Sequence, residues 1–222
     1  MVKDNAHNDK KRQKDSRMDA AGDGTRVQAP SGTGRGGPSR RQDLLLAAAK
    51  LFTRKGYAGT SVRDIARAAG MLPGSIYYHF PSKEALLVAV HHQGVELFRS
   101  AVEEALAKAP ADPWLRFEGA CEAHMQALLE GSEYTQVVTP EFSNKLSAKV
   151  RTKMIADRDE YEAIFIELIG ALPVTGTVDR TLFRLMLFGS LNWSIHWYRP
   201  GGHSPRQIAR YFVHFLRKGI DG

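Results

Sequence analysis

Cysteine is almost missing from this chain: Cys121 is the only one in 222 residues, so no internal disulfide can form. That usage fits a reducing compartment, and a cytoplasmic location is expected. Cys121 lies in the helical pattern ACEAHMQALL, where a buried, inert thiol is expected rather than a nucleophile. No run of about 18 apolar residues occurs, which excludes a transmembrane helix. The first residues, MVKDNAHNDKKRQKD, carry no apolar stretch of the kind a secretory signal needs. Also missing are a Gly-rich phosphate loop, a nucleophile elbow and a paired acid–base motif, so an enzyme is not expected. The histidines supply no HxxxH pattern and no Cys partner, and His91 and His92 point about 100° apart on a helix. Neither a metal site nor a cofactor is therefore expected.

Most large apolar residue types are absent from one end. Residues 1–38 contain no Leu, Ile, Phe, Tyr or Trp and pass into PSGTGRGGPSR. Such a segment cannot bury enough surface to offset the entropy of ordering it, so a disordered basic tail is expected over 1–38. The charge is placed unevenly too. Residues 1–41 hold ten Lys/Arg against five Asp, or +5, which leaves only +2 of the net +7 for the rest. An acidic partner is expected at the N-terminal end, against the plainer reading of a solvated tail.

What is present reads as helix throughout. QDLLLAAAKLFTRKG places Leu44, Leu45, Ala48, Leu51 and Phe52 on one face and stops at Gly56. TSVRDIARAAG opens on the N-cap candidates Thr60 and Ser61 and stops at Gly70. MLPGSIYYHF is a helix of about two turns, and SKEALLVAVHHQGVELFRSAVEEALAKA runs unbroken from its cap at Ser82 to Pro110. Later helical stretches are Trp114–Leu129, Asn144–Leu172, Val178–Tyr198 and Pro205–Lys218. No convincing strand and no internal repeat is found. The fold class is all-α, with about nine helices.

The first three helices are short and closely joined, and AAGMLPGS between the second and third has the Gly-containing turn a helix-turn-helix needs. Gly70 permits a sharp turn, Pro73 and Gly74 start the next helix, and its first turn projects outward. A helix presented this way fits the DNA major groove, with its N-terminal residues reaching base edges and phosphates. In SIYYHF, Ile76 and Phe80 are four apart and face inward. Ser75, Tyr77, Tyr78 and His79 form the outward edge.

From Leu51 to Leu87 the sequence LFTRKGYAGTSVRDIARAAGMLPGSIYYHFPSKEALL resembles the TetR family of bacterial one-component repressors. The features that carry the resemblance are Gly56-Tyr57, Thr60-Ser61, Ile65-Ala66, Ala69-Gly70, Tyr77-Tyr78-His79-Phe80 and Lys83-Glu84. The resemblance implies a helix-turn-helix DNA-binding domain over 39–85 and a helical effector-binding and dimerisation domain over 86–222. It also implies a homodimer on a palindromic double-stranded DNA operator. By it, Thr60 or Ser61 caps the second helix and bonds a phosphate, Arg63 touches backbone or base, and Lys83 takes the family's phosphate-contacting lysine position. Arg40 and Arg41 are expected near phosphates or the minor groove, or else as solvated arm residues. With Gly74, Ser75, Tyr77, Tyr78 and His79 these complete the expected DNA-binding set.

About 130 residues remain beyond the DNA-reading part. The last two helices are richer in apolar residues than one buried stripe requires. Leu182, Phe183, Leu185, Leu187, Phe188, Leu191, Tyr211, Phe212, Phe215 and Leu216 are read as a dimer surface, with internal core as the alternative. Gly189 and Ser190 would permit close helix approach. The stretch GSLNWSIHWYRPGG resembles a subgroup of TetR-like regulators that respond to acyl-CoA thioesters, on Leu191-Asn192-Trp193, Trp197 and Pro200. The expected effector-binding residues are Phe117, Met125, Leu128, Leu129, Arg158, Phe165, Leu168, Asn192, Trp193 and Trp197. Lys149, Arg151, Lys153 and Arg158 lie at helical spacing for a phosphate group, the plainer readings being core for the apolar residues and a solvated face for the basic ones. A repressor released by a small hydrophobic effector, best an acyl-CoA thioester, is the expected function. A drug-sensing relative and a ligand-independent DNA-binding protein stand as alternatives.

Overall fold

A computed structural model describes residues 39–138, 146–174 and 178–221, with side chains described as far as Gly219. The expected disordered tail, 1–38, and the expected helix start at Asn144 lie outside the described residues. Among the described residues there are nine α-helices and no strand. They are α1 Arg40–Lys55, α2 Val62–Ala68, α3 Pro73–His79, α4 Lys83–Lys108 and α5 Pro113–Glu130. The rest are α6 Glu133–Gln136, α7 Ala148–Ala171, α8 Arg180–Trp197 and α9 Pro205–Asp221. None is long and apolar enough to cross a membrane.

Local chemistry sets the ends. Ser39 and Gln42 exchange side-chain-to-backbone bonds of 3.3 and 3.0 Å in a capping box that starts α1. Ser61 and Asp64 do the same for α2. Ser82 Oγ accepts from the Ala85 N–H at 3.0 Å to start α4, and Asp112 caps α5 ahead of Pro113. Gly56 and Gly70 hold φ of 71° and 63°, the left-handed values that let the chain leave α1 and α2 sharply.

Two apolar clusters result. Leu44, Leu45, Phe52, Ile65, Ile76 and Phe80 from α1 to α3 pack with Leu86, Leu87 and Val90 of α4. Val137, Leu146 just before α7, and Val150 and Met154 in its first turns close the same cluster. The second cluster begins on α4 at Val95 and takes in Phe98, Val102 and the inner faces of α5, α7, α8 and α9. Helix α4 therefore belongs to both, changing allegiance between Val90 and Val95.

The short α6 was not expected from the sequence, which read Gly131 only as punctuation. It packs against α1 and α4, where Thr53 Oγ1 donates to the Glu133 carbonyl at 3.4 Å and Lys50 pairs with Glu133 at 3.7 Å. The approach to α4 is close enough to require Gly94. A Cβ there would collide with the Tyr134 carbonyl oxygen and stand 2.6 Å from Val138 Cγ2.

Candidate functional site

The first candidate surface is α3 with its flanks. Ile76 and Phe80 are buried, as their spacing predicts, while Ser75 and Gly74 are exposed and Tyr77 and Tyr78 are 56% and 89% exposed. His79 is half-buried, with its ring edge-on to Tyr78 at 5.3 Å. Ser61 and Arg63, in the first turn of α2, and Arg40 and Arg41, at the start of α1, are also exposed. The Arg41 guanidinium lies 5.0 Å from the centre of the Phe80 ring. Leu72, the residue before α3, is 77% exposed and was not singled out in the sequence. A leucine at a helix entry carries no periodic signal that separates it from a core residue.

Two residues of the expected DNA-binding set do other work. Thr60 is 1% exposed, and its hydroxyl lies 3.1 Å from the Leu51 carbonyl and 2.8 Å from the Gly56 carbonyl. Its hydroxyl fastens the α1–α2 connection, and Ser61 alone caps α2. Lys83 Nζ donates at 2.9 Å to both the Tyr57 and the Thr60 carbonyls and sits 4.1 Å from the centre of the Tyr57 ring. An ammonium has three donors, so two are committed inward rather than to a phosphate.

The second candidate is a cavity of about 140 Å³. Its walls come from α4 (His91, Val95, Phe98), α5 (His124, Leu128) and α8 (Phe188, Asn192), with Thr135 and Val138. From α7 come Arg151, Met154, Ile155, Arg158, Tyr161 and Glu162, at spacings that share one helix face. A polar chain runs through the apolar wall. His124 Nδ1 is 2.8 Å from the Tyr161 hydroxyl, and Nε2 is 3.1 Å from Asn192 Oδ1. An amide oxygen only accepts, so the proton sits on Nε2 and Nδ1 accepts from Tyr161. Phe98 stacks on the imidazole at 4.9 Å, and Phe165 and Phe188 meet it edge-on. Burial lowers the His124 pKa to about 4, partly offset by the Asn192 contact, and pushes the Tyr161 phenol well up. The chain is neutral at physiological pH.

Charge gathers at the exposed side of the cavity. Glu162, largely buried, forms an ion pair with Arg158 Nε at 3.2 Å and accepts a hydrogen bond from Arg184. Arg158 is 44% exposed at its side chain and bonds Asp159 as well. Arg151 is exposed and reaches the Leu146 carbonyl at 3.4 Å. On α4, His91 and His92 converge on one carboxylate of α7, with Asp157 oxygens 3.6 and 3.4 Å away. His91 is 3% exposed and His92 is open to solvent, so the pair expected to point apart instead meets one carboxylate, from a buried and an exposed side.

Of the ten expected effector residues, the cavity brings together Leu128, Arg158 and Asn192. Phe117, Met125, Phe165 and Leu168 are core residues that do not line it, and Leu129 is half-buried against the same core. Trp193 and Trp197 are 63% and 44% exposed, on the outer face of α8. Neighbouring residues on a helix are about 100° apart, and here Asn192 takes the inward position that excludes Trp193. Lys149 and Lys153 are exposed and do not line the cavity. The residues the sequence missed are chiefly His91, His124 and Tyr161. A lone histidine in an apolar helix carries no local mark of its partners, here 37 and 68 positions away.

Similarity to known proteins agrees with this layout. Residues 44–90 match the family described as bacterial regulatory proteins, tetR family, and residues 110–220 match the tetracyclin repressor-like C-terminal domain. The HTH-type transcriptional repressor KstR2 of Mycobacterium tuberculosis H37Rv is 29% identical over an alignment of 194 positions that covers 82% of this chain and 93% of that protein. AibR in complex with isovaleryl coenzyme A and operator DNA superposes with a TM-score of 0.71 and 26% identity, covering 80% of this chain and 97% of that one. The TetR family transcriptional regulator PfmR from Thermus thermophilus superposes with a TM-score of 0.65 and 33% identity, covering 81% and 97%. With its helix-turn-helix head and its helical C-terminal region both matched, the chain belongs to the TetR family of bacterial regulatory proteins.

Proposed function

We propose that the protein is a homodimeric transcriptional repressor that reads a palindromic operator through α3 and is released from it by an acyl-CoA thioester. The observation that carries this reading is the sharing of α4. The helix that leaves the DNA-reading head also supplies His91, Val95 and Phe98 to the cavity wall. A ligand that fits better with α4 displaced shifts the population toward a head spacing that does not match successive major grooves.

In this reading Gly74, Ser75, Tyr77, Tyr78 and His79 face bases, while Ser61, Arg63, Arg40 and Arg41 hold phosphates. The dimer forms on the outer faces of α8 and α9, where Leu182, Leu185, Met186, Trp193, Trp197, Tyr211 and Phe215 are exposed. So large an apolar face suits an interface between copies. The apolar walls suit an acyl group, and Arg151 and Arg158 at the exposed side suit the phosphates of coenzyme A. AibR, similar along most of the chain, was solved with isovaleryl coenzyme A and operator DNA.

The test is fluorescence anisotropy on DNA from upstream of the protein's own gene, titrated with acyl-CoA thioesters, the free acids and CoA alone. Release by thioesters and by neither fragment is expected. An operator complex unmoved by saturating thioester would remove the effector assignment, and a Tyr77→Ala protein with unchanged affinity would remove the assignment of α3.

A further inference from the structure

Leu72 breaks a rule that the rest of the chain keeps. Among the described residues, a Ser or Asp stands before every helix except α3, where Leu72 takes that place. Ser39, Ser61, Ser82 and Asp112 each accept a hydrogen bond from the helix they start, whereas α3 has no side-chain cap. Leucine is among the poorest residues at this position. Burial does not compensate, because Leu72 is 77% exposed and adds little to the core. Pro73, at the first position of α3, presets a helical φ and has no N–H to satisfy, which lessens the need for a cap. It gives no reason for a leucine. A residue that breaks a local rule without helping the fold marks a functional position.

Its neighbours indicate the function. The Ser75 N–H donates to the Leu72 carbonyl at 2.9 Å, and Tyr78 follows three residues later, so Leu72, Ser75 and Tyr78 form one stripe. All three are exposed. Leu72 and Tyr78, at 77% and 89%, are the most exposed large hydrophobic side chains among the described residues. The stripe carries no charge and no side-chain amide. Helix α3 as a whole, PGSIYYH, holds no Arg, Lys, Asn, Gln, Asp or Glu. Those are the side chains that pair with the edges of guanine, adenine and cytosine.

The chemistry of the groove then selects the base. The apolar group on a base edge in the major groove is the C5-methyl of thymine, which apolar side chains recognise by contact. Leucine offers no side-chain hydrogen bond, so it tells thymine from the other bases by that methyl group alone.

Building on the reading of α3 as the DNA-facing helix, we infer that Leu72 is a specificity-determining residue that packs on the C5-methyl group of a thymine in each operator half-site. Ser75 and Tyr78 flank that contact on the same stripe. The position that would otherwise cap the helix serves as a methyl reader.

The experiment is fluorescence anisotropy of the full chain on a duplex from upstream of its own gene, with each thymine in turn replaced by deoxyuridine. Deoxyuridine keeps the hydrogen-bonding groups and lacks only the methyl. At one thymine of each half-site the replacement should weaken binding about fourfold, the contribution of one buried methyl group. Leu72→Ala should bind the thymine and deoxyuridine forms equally there, and Leu72→Met should keep most of the difference. Leu72→Ser, which restores a cap, should melt no lower than the parent.

An equal deoxyuridine effect in Leu72→Ala would assign the methyl to another residue and overturn the inference, as would a bound duplex with no sensitive thymine. Both results would leave α3 standing as the reading helix. A lower melting temperature for Leu72→Ser would show that the leucine serves the fold, and would overturn the inference too. Loss of the dimer in Leu72→Ala, with DNA affinity unchanged, would assign the stripe to a second copy instead. Unchanged affinity of Tyr77→Ala would remove the reading of α3 and this inference with it.

Discussion

Lys83 and Tyr57 are locked together: the Lys83 ammonium lies 4.1 Å from the centre of the Tyr57 ring and donates at 2.9 Å to the Tyr57 carbonyl. The same nitrogen donates to the Thr60 carbonyl, so the first residue of α4 fastens the loop that introduces α2. The cation–π contact and two charge-assisted hydrogen bonds act on one nitrogen. This tie makes the orientation of the head and the course of α4 one mechanical fact.

Removing the tie should loosen the head. Lys83→Met should lower the unfolding free energy by about 1.5–3 kcal/mol, the range for hydrogen bonds to a charged group, as read from urea denaturation. The same variant separates a clamp from a phosphate contact. Losing a phosphate contact reduces the salt slope of DNA binding by about 1, whereas an inward-facing ammonium leaves the slope unchanged. The unchanged slope is expected.

Gly94→Ala should be costly although alanine favours helix. The added methyl would meet the Tyr134 carbonyl and stand 2.6 Å from Val138 Cγ2. Backbone cannot yield as a side-chain tip does, so a loss of about 1–3 kcal/mol is expected. A variant as stable as the parent in thermal melts would show that α6 is free to move off α4.

The head was legible in the sequence, and the reason is locality. Caps, glycines at left-handed φ and the inward pair Ile76 and Phe80 all lie within a few residues of what they control. The cavity was legible only through Leu128, Arg158 and Asn192. The His124 chain joins α5, α7 and α8, so no window of sequence contains it. Helix α6 escaped because four residues are too few to show a period, and its docking on α1 and α4 supports it. Thr60 misled because a buried threonine bonding carbonyls and an exposed threonine capping a helix are the same letter.

His124 makes stability depend on pH in a stated direction. Its folded pKa, about 4, is below the ordinary 6.5, so between those values the unfolded chain binds the extra proton. Stability is full above pH 6.5 and falls as pH drops toward 4. The span of 2.5 units from these two values corresponds to about 3 kcal/mol. Urea midpoints at pH 7.5 and 5 should show the fall, and His124→Gln should show less of it. A midpoint that rises on acidification would contradict the buried neutral imidazole.

Leu185 is 54% exposed on the outer face of α8. If that face joins two copies, Leu185→Asp buries a charge at the contact, costing several kcal/mol. The expected result is a monomer by size-exclusion chromatography with light scattering, with far-UV circular dichroism unchanged. A dimer that survives the substitution would place the interface elsewhere.

The DNA-reading head is not portable as a cassette. Its apolar centre is completed by Leu86, Leu87 and Val90 beyond α3, and by Leu146, Val150 and Met154 from a distant part of the chain. A fusion that borrows only the first three helices would carry an open wound on its inner side and lack the lysine that closes it. If α3's outward residues read the operator, exchanging operators between relatives means transplanting those residues onto this scaffold, not moving the scaffold itself.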